Sequence, residues 1–174
     1  KTHKSKEILK LQIDHGIKRH KTSTLEEIEV LAECSPEELI LAYPITSKIK
    51  ADRYSKIIKK FSNVKFSSII GSVYHLEIAS QIEGLDGVYI DLDTGMHRTG
   101  IDLEESDELL DKLFNYSEIK FKGIHGYDGH LVGLTDIEEK QEIVNKSIEI
   151  VEEFRNKISK FSQDQNYDII VGGS

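Results

Sequence analysis

Cysteine is nearly absent from this chain. Cys34 stands alone, so no internal disulfide can form, and its place late in an amphipathic helix reads as core or helix surface. Reducing conditions and a cytoplasmic location are therefore expected. There is no tryptophan, one methionine and only two prolines, and no apolar run approaches the ~18 residues of a membrane span. The opening Lys-Thr-His-Lys lacks the apolar stretch of a signal peptide, so no membrane partner is expected. Nor is there a basic block: 23 Lys and Arg face 31 Asp and Glu, a formal charge of -8, which argues against a nucleic-acid partner. Any anion bound by such a chain must be held locally, by backbone amides or a few cations, because the overall field repels it.

What is present is an alternation of periodicities. Ser5 to His15 reads as an amphipathic helix ended by Gly16, and Ile17 to Thr22 as a weak strand. Thr24-Leu-Glu-Glu27 forms a capping box for a helix to Cys34, and Leu39 to Tyr43 is a compact strand halted by Pro44. Helices over Lys48 to Phe61, Val73 to Gln81 and Glu104 to Asn115 alternate with strands over Val64 to Ile70, Gly87 to Leu92 and Ile119 to Ile124. Thr135-Asp-Ile-Glu138 caps the longest helix, to about Phe161, and Tyr167 to Val171 is the last strand. The pairs Glu104-Glu105 and Glu152-Glu153 read as solvated helix faces.

Strand and helix alternating about six times predict a parallel sheet with right-handed crossovers, doubly wound or closed as an eight-fold barrel. No glycine fingerprint follows an early strand, which removes support for a dinucleotide fold. A barrel typically needs ~250 residues. The chain opens without Met on a charged tetrapeptide and closes on Val171-Gly-Gly-Ser174, where a strand should hand over to a loop. Both ends read as cut, so the expected fold is an α/β parallel barrel incomplete at both ends.

In such a barrel the carboxyl ends of the strands share one basin. They carry Thr22 and Ser23, Tyr43 and Pro44, then Gly71 and Ser72. Next come Asp93, His97 and Arg98, in the run Val88 to Ile101, followed by His125, Tyr127 and His130, and last by Gly172, Gly173 and Ser174. Lys1 falls where an earlier strand would end. A lysine, an arginine, aromatic and imidazole groups and a Gly-Gly-Ser turn are what a Schiff-base enzyme using a phosphorylated aldehyde needs. The residues alone also leave bland readings open. His125 and His130 fit as ordinary loop histidines, Arg98 as the structural partner of a carboxylate such as Asp91 or Asp93, and Gly172-Gly173 as a turn.

Lys1-Thr-His-Lys-Ser5 resembles the cofactor-lysine segment of the D-threonine aldolase and D-serine dehydratase family, pyridoxal-phosphate enzymes related to alanine racemase. Thr94-Gly-Met-His-Arg-Thr-Gly100 is similar to that family's fifth-strand motif, Gly123-Ile-His-Gly-Tyr-Asp-Gly-His130 to its next, and Val171-Gly-Gly-Ser174 to the start of its phosphate-binding segment. The four matches keep the family's order across nearly the whole chain. The resemblance implies an alanine-racemase-type barrel over residues 1–174, in part, with the family's C-terminal β domain outside the chain. It implies pyridoxal 5'-phosphate as cofactor, with Lys1 as the catalytic Schiff-base lysine. Arg98 would lie near the cofactor's phenolic oxygen and Tyr127 against its ring. The amides of Gly172, Gly173 and Ser174 would meet its phosphate, and His125 and His130 would stand near the substrate. For Thr22, Tyr43, Asp93 and His97 it gives position only.

The activity implied is that of a lyase on D-3-hydroxy amino acids, by aldol cleavage or dehydration, in a homodimer that binds a small-molecule amino acid. The family's divalent-metal ligands lie in its second domain, and His3, His15, His20 and His125 form no metal-ligand spacing, so no metal residue is assigned. The alternatives are an amino-acid racemase and a pyridoxal-phosphate-binding protein without turnover.

Overall fold

A computed structural model of the chain describes residues 5–172. After α1 (Lys6–Asp14), six strands and five further helices alternate: β1 (Arg19–Thr22), α2 (Leu25–Ala32), β2 (Glu38–Leu41), α3 (Lys48–Lys60), β3 (Lys65–Ile70), α4 (Val73–Ala79), β4 (Gly87–Leu92), α5 (Asp107–Tyr116), β5 (Phe121–Gly126), α6 (Ile137–Ile158) and β6 (Asp168–Val171). Local chemistry sets the helix starts. At α2 the Thr24 hydroxyl accepts the Glu27 N–H at 3.1 Å, while the Glu27 carboxylate accepts the Ser23 N–H at 2.7 Å. The hydroxyls of Ser5 and Ser72 accept in the same way at α1 and α4.

All six strands are parallel and lie in the sheet in chain order. Their outward side chains, among them Leu39, Leu41, Phe66, Val88, Ile90 and Ile124, form the main core with Ile28, Tyr54, Leu76, Leu109, Leu110 and Phe154 from the helices. Burial of each such side chain stabilises the fold by ~1.5–3 kcal/mol.

The sheet is curled into an open barrel, and contacts across its interior show this. Flat, five strand spacings of ~4.8 Å would separate β1 from β6 by roughly 24 Å, beyond the reach of any side chain. Yet the Arg19 guanidinium on β1 pairs with Asp168 on β6 and donates to the Tyr89 hydroxyl on β4 at 2.9 Å. At the amino end of this interior, Lys122 joins Glu38, Asp86 at 2.5 Å and Ser67 at 3.0 Å, and Arg19 meets the other Glu38 oxygen at 3.0 Å. Above this charged layer, Ile40, Ile69 and Tyr89 form a small inner core with Ile170 against it.

The elements match the sequence expectation in number and order, and several boundaries differ. Strand β5 runs on to Gly126 because Gly123 and Gly126 belong to the ladder. Gly123 has φ of +152°, and a Cβ there would collide with the Asp168 backbone, so glycine permits the close approach of β5 and β6. Helix α6 is capped one residue later than expected, by Asp136, whose carboxylate accepts the Glu138 N–H at 2.8 Å and the Glu139 N–H at 3.2 Å. Helix α5 begins at Asp107 rather than Glu104, since Leu103 to Ser106 close a turn in which the Ser106 hydroxyl donates to the Leu103 carbonyl at 2.7 Å. A 3-10 turn over Gly129–Leu131 was not anticipated. Cys34 is half-buried, its thiol against the Lys6 carbonyl at 3.7 Å.

Candidate active site at the carboxyl ends of the strands

The β4 segment builds one wall. After Leu92 the chain loops out and returns, so that Ile101 donates to the Asp91 carbonyl at 2.8 Å and Asp93 donates to the Ile101 carbonyl at 3.0 Å. Gly100, with φ of +108°, closes the return. A Cβ there would lie 2.8 Å from the Asp93 nitrogen, so only glycine fits. Within the loop Asp93 Oδ1 accepts the N–H groups of Gly95 at 2.9 Å and His97 at 3.1 Å, and Oδ2 faces the His97 ring at 3.0 Å. Burial pushes the Asp93 carboxyl up, and these N–H donors and the His97 ring outweigh it, holding the group below its ordinary value.

The β5 segment packs against that loop at two points. The exposed Arg98 guanidinium lies 4.7 Å from the centre of the Tyr127 ring, a cation–π arrangement. The His130 ring sits against Gly95, with Nε2 at 3.3 Å from where a Cβ would stand, and both its ring nitrogens are buried without a partner. Two residues matched in the resemblance, Arg98 and Tyr127, are thus in contact, and His130 is brought to the same loop. A cavity of about 430 Å³ opens beside His130, lined in part by Asp93, His97 and Lys146.

His125 is held by partners on two sides. It is 2% exposed, with Nδ1 at 2.6 Å from Asp91 Oδ1 and Nε2 at 3.2 Å from Lys21 Nζ. Both ring nitrogens are engaged. Lys21, Asp91 and His125 are each the penultimate residue of their strands and point inward, one layer below the strand ends. Sequence reading missed Lys21. The alternation of inward and outward residues in Arg19-His-Lys-Thr22 would have found it, had that short polar run been taken as a full barrel strand.

Thr22 is fully buried, its hydroxyl donating to the Ile40 carbonyl at 3.4 Å, and Tyr43 is exposed beside a cavity of about 390 Å³ near the β1 and β2 ends. Gly172 follows β6, its N–H donating to the Gly126 carbonyl at 3.4 Å, and open space lies where its side chain would be. Lys1, Gly173 and Ser174 lie outside the described residues. Among the described residues one group offers metal-ligand spacing, Asp93, His97 and Asp102, whose donor atoms lie within 4.8 Å of one another. Both Asp93 oxygens there already serve the loop. No helix among the described residues is long and apolar enough to cross a membrane.

An open parallel (β/α) barrel with polar groups gathered at the carboxyl ends of its strands is the class of domain these features define. The chain belongs to the alanine racemase N-terminal domain family: the family described as "Alanine racemase, N-terminal domain" matches residues 1–167. No curated protein sequence matches it. Among solved structures it is similar to a D-threonine aldolase from Filomicrobium marinum, with a TM-score of 0.85 and 14% identity over 98% of this chain and 46% of that one. It is also similar to an alanine-racemase-like protein from Idiomarina loihiensis, with a TM-score of 0.70 and 16% identity over 97% of this chain and 56% of that one. A third is an alanine racemase from Bartonella henselae solved with covalently bound pyridoxal phosphate, with a TM-score of 0.60 and 17% identity over 97% and 50% of the two chains. The chain spans about half the length of these structures. At such identities the likeness is one of fold.

Proposed function

We propose that this domain binds pyridoxal 5'-phosphate and belongs to a lyase acting on D-3-hydroxy amino acids, of D-threonine aldolase or D-serine dehydratase type. The observation that carries the reading is the contact between Arg98 and Tyr127, which joins the two motifs matched in the family on one side of the basin. The residues present fit the cofactor. Arg98 offers a permanent cation for its phenolic oxygen and Tyr127 an aromatic face for its ring. The open space beside Gly172 leaves room for a phosphate, which the Gly173 and Ser174 amides would contact. Lys1 is the residue that would attach the cofactor covalently. When bound, pyridoxal phosphate supplies an electron sink for bond breaking at the substrate α carbon.

The chain's own groups supply the rest. With the cofactor bound, Lys1 would serve as a base near the substrate α carbon. His130, whose two ring nitrogens are buried at the loop without a partner, is an imidazole that the resemblance sets near the substrate. The resemblance to D-threonine aldolase supports the lyase reading, with a divalent metal held by residues outside this chain, a homodimer as the working form and the cytoplasm as its location. Incubating the full-length protein with D-threonine and D-serine plus a divalent metal tests it. Release of glycine and aldehyde, or of a 2-oxo acid and ammonia, is expected, and the absence of all four would overturn it. The likeness to alanine racemases favours one other reading, racemisation, which would show as loss of α-deuterium without cleavage.

A further inference from the structure

We propose that Asp93 is the positioning residue of the Arg98 loop: its carboxylate fixes the turn that holds the Arg98 guanidinium against the Tyr127 ring, where the cofactor's phenolic oxygen would meet it. The inference rests on the reading above, that the basin takes pyridoxal phosphate beside Arg98, and names what keeps that cation in place.

Arg98 has little of its own to hold it. It is exposed, and among the described residues it makes no hydrogen bond or ion pair, only the contact at 4.7 Å with the Tyr127 ring. A long side chain with one such contact is placed by its backbone, and the backbone here is tied to Asp93. The N–H groups of Gly95 and His97 converge on Asp93 Oδ1 at 2.9 and 3.1 Å, and Oδ2 faces the His97 ring at 3.0 Å. One carboxylate thus grips the residue just before Arg98 twice. His97 needs that grip, because its φ of +51° is a left-handed conformation that a residue with a Cβ keeps only where its surroundings fix it. The turn at His97 sets the direction in which the next side chain leaves the loop.

The base of the loop is fixed independently of Arg98. The Asp93 N–H donates to the Ile101 carbonyl at 3.0 Å, and the buried Ser147 hydroxyl of α6 donates to the Thr94 carbonyl at 2.9 Å. The Asp93 side chain, 9% exposed, carries that order outward to residue 97. Lys146, the cation lining the same cavity, makes no ion pair with Asp93, while Asp102, Glu104 and Glu153 there add charge of its own sign. Among the described residues the carboxylate therefore bonds only to its own loop. This gives the role a sign that can be measured. Loss of a carboxylate near the basin by itself favours ionisation of the phenolic oxygen, whereas displacement of the guanidinium disfavours it.

The test follows, in the cofactor-loaded full-length protein, the pH at which the absorbance of the bound cofactor changes. Arg98→Met removes the cation and should raise that pH. Asp93→Ala should raise it too, by about 1 pH unit, the effect of moving a unit charge from ~4 Å to ~7 Å at an effective dielectric constant of ~20. In an Arg98→Met background Asp93→Ala should add no further rise, because the guanidinium it places is gone. Asp93→Asn keeps an oxygen for the Gly95 and His97 N–H groups and should stay at or slightly below the wild-type value. His97→Pro attacks the same turn from an exposed position, removing the N–H that Asp93 accepts and forbidding a positive φ. It should give the same rise as Asp93→Ala and stands in for it if alanine prevents folding. A folded, cofactor-loaded Asp93→Ala or His97→Pro protein with an unchanged or lowered value would overturn the inference, as would a full further rise in the Arg98→Met background. Wild-type protein that takes up no cofactor, or an Arg98→Met protein with no rise, would instead overturn the functional reading on which it rests.

Discussion

Removing Lys122 should destabilise the fold more than any surface charge change, and its effect can be worked from the geometry. The Lys122 side chain is 10% exposed and Glu38, its partner across the barrel, 5%. Breaking a buried pair by removing one member typically costs ~3–5 kcal/mol, because the other charge is left desolvated. Glu38 would keep Arg19 at 3.0 Å and the Ser67 hydroxyl at 2.6 Å, which lowers the expected loss for Lys122→Met to ~2–4 kcal/mol. For a chain of this size ~3 kcal/mol corresponds to a fall in Tm of roughly 6–12 °C. Adding Glu38→Gln to Lys122→Met removes the stranded charge while keeping a group for Ser67, so the double variant should be more stable than the sum of the single losses by at least ~1 kcal/mol. Urea and thermal unfolding of the four proteins in the cycle measure this. A Lys122→Met protein within ~0.5 kcal/mol of wild type, or a coupling near zero, would refute the idea that this layer closes the barrel interior by buried charge.

Other perturbations report on single links. Gly123→Ala should cost several kcal/mol or abolish folding, since φ of +152° and the Asp168 backbone leave no place for a Cβ; circular dichroism on the soluble fraction would show it. Arg98→Lys keeps the charge and loses the planar face against Tyr127. At ~1 kcal/mol for that contact it should weaken pyridoxal-phosphate binding about fivefold, read by absorbance titration. Asp93 has a folded-state pKa below its ordinary value, so its contribution is present above about pH 4 and lost as pH falls through the lower folded value. Amide signals of Gly95 and His97 should shift in that acid window, and Asp93→Asn should remove the transition.

The outward face of the barrel was legible because its code is local. Apolar residues at helical and strand spacing, with Thr24, Gly16 and Pro44 as punctuation, predicted six strands in order and which turns would share a basin. The inward face was not legible. Arg19, Glu38, Lys122 and Asp168 find one another across the curled sheet from four different strands, so no spacing in the chain relates them. Their charge made β1 look weak, the feature that in a small barrel marks residues filling the interior. The same reason hid the contacts of His125 with Asp91 and Lys21.

The most direct measurement is reduction of the cofactor-loaded full-length protein with borohydride, followed by peptide mapping. A pyridoxyl group on the Lys1 side chain is the expected result. A label confined to another residue, or no stable label after loading, would contradict the assignment of this domain as a pyridoxal-phosphate site built around Lys1.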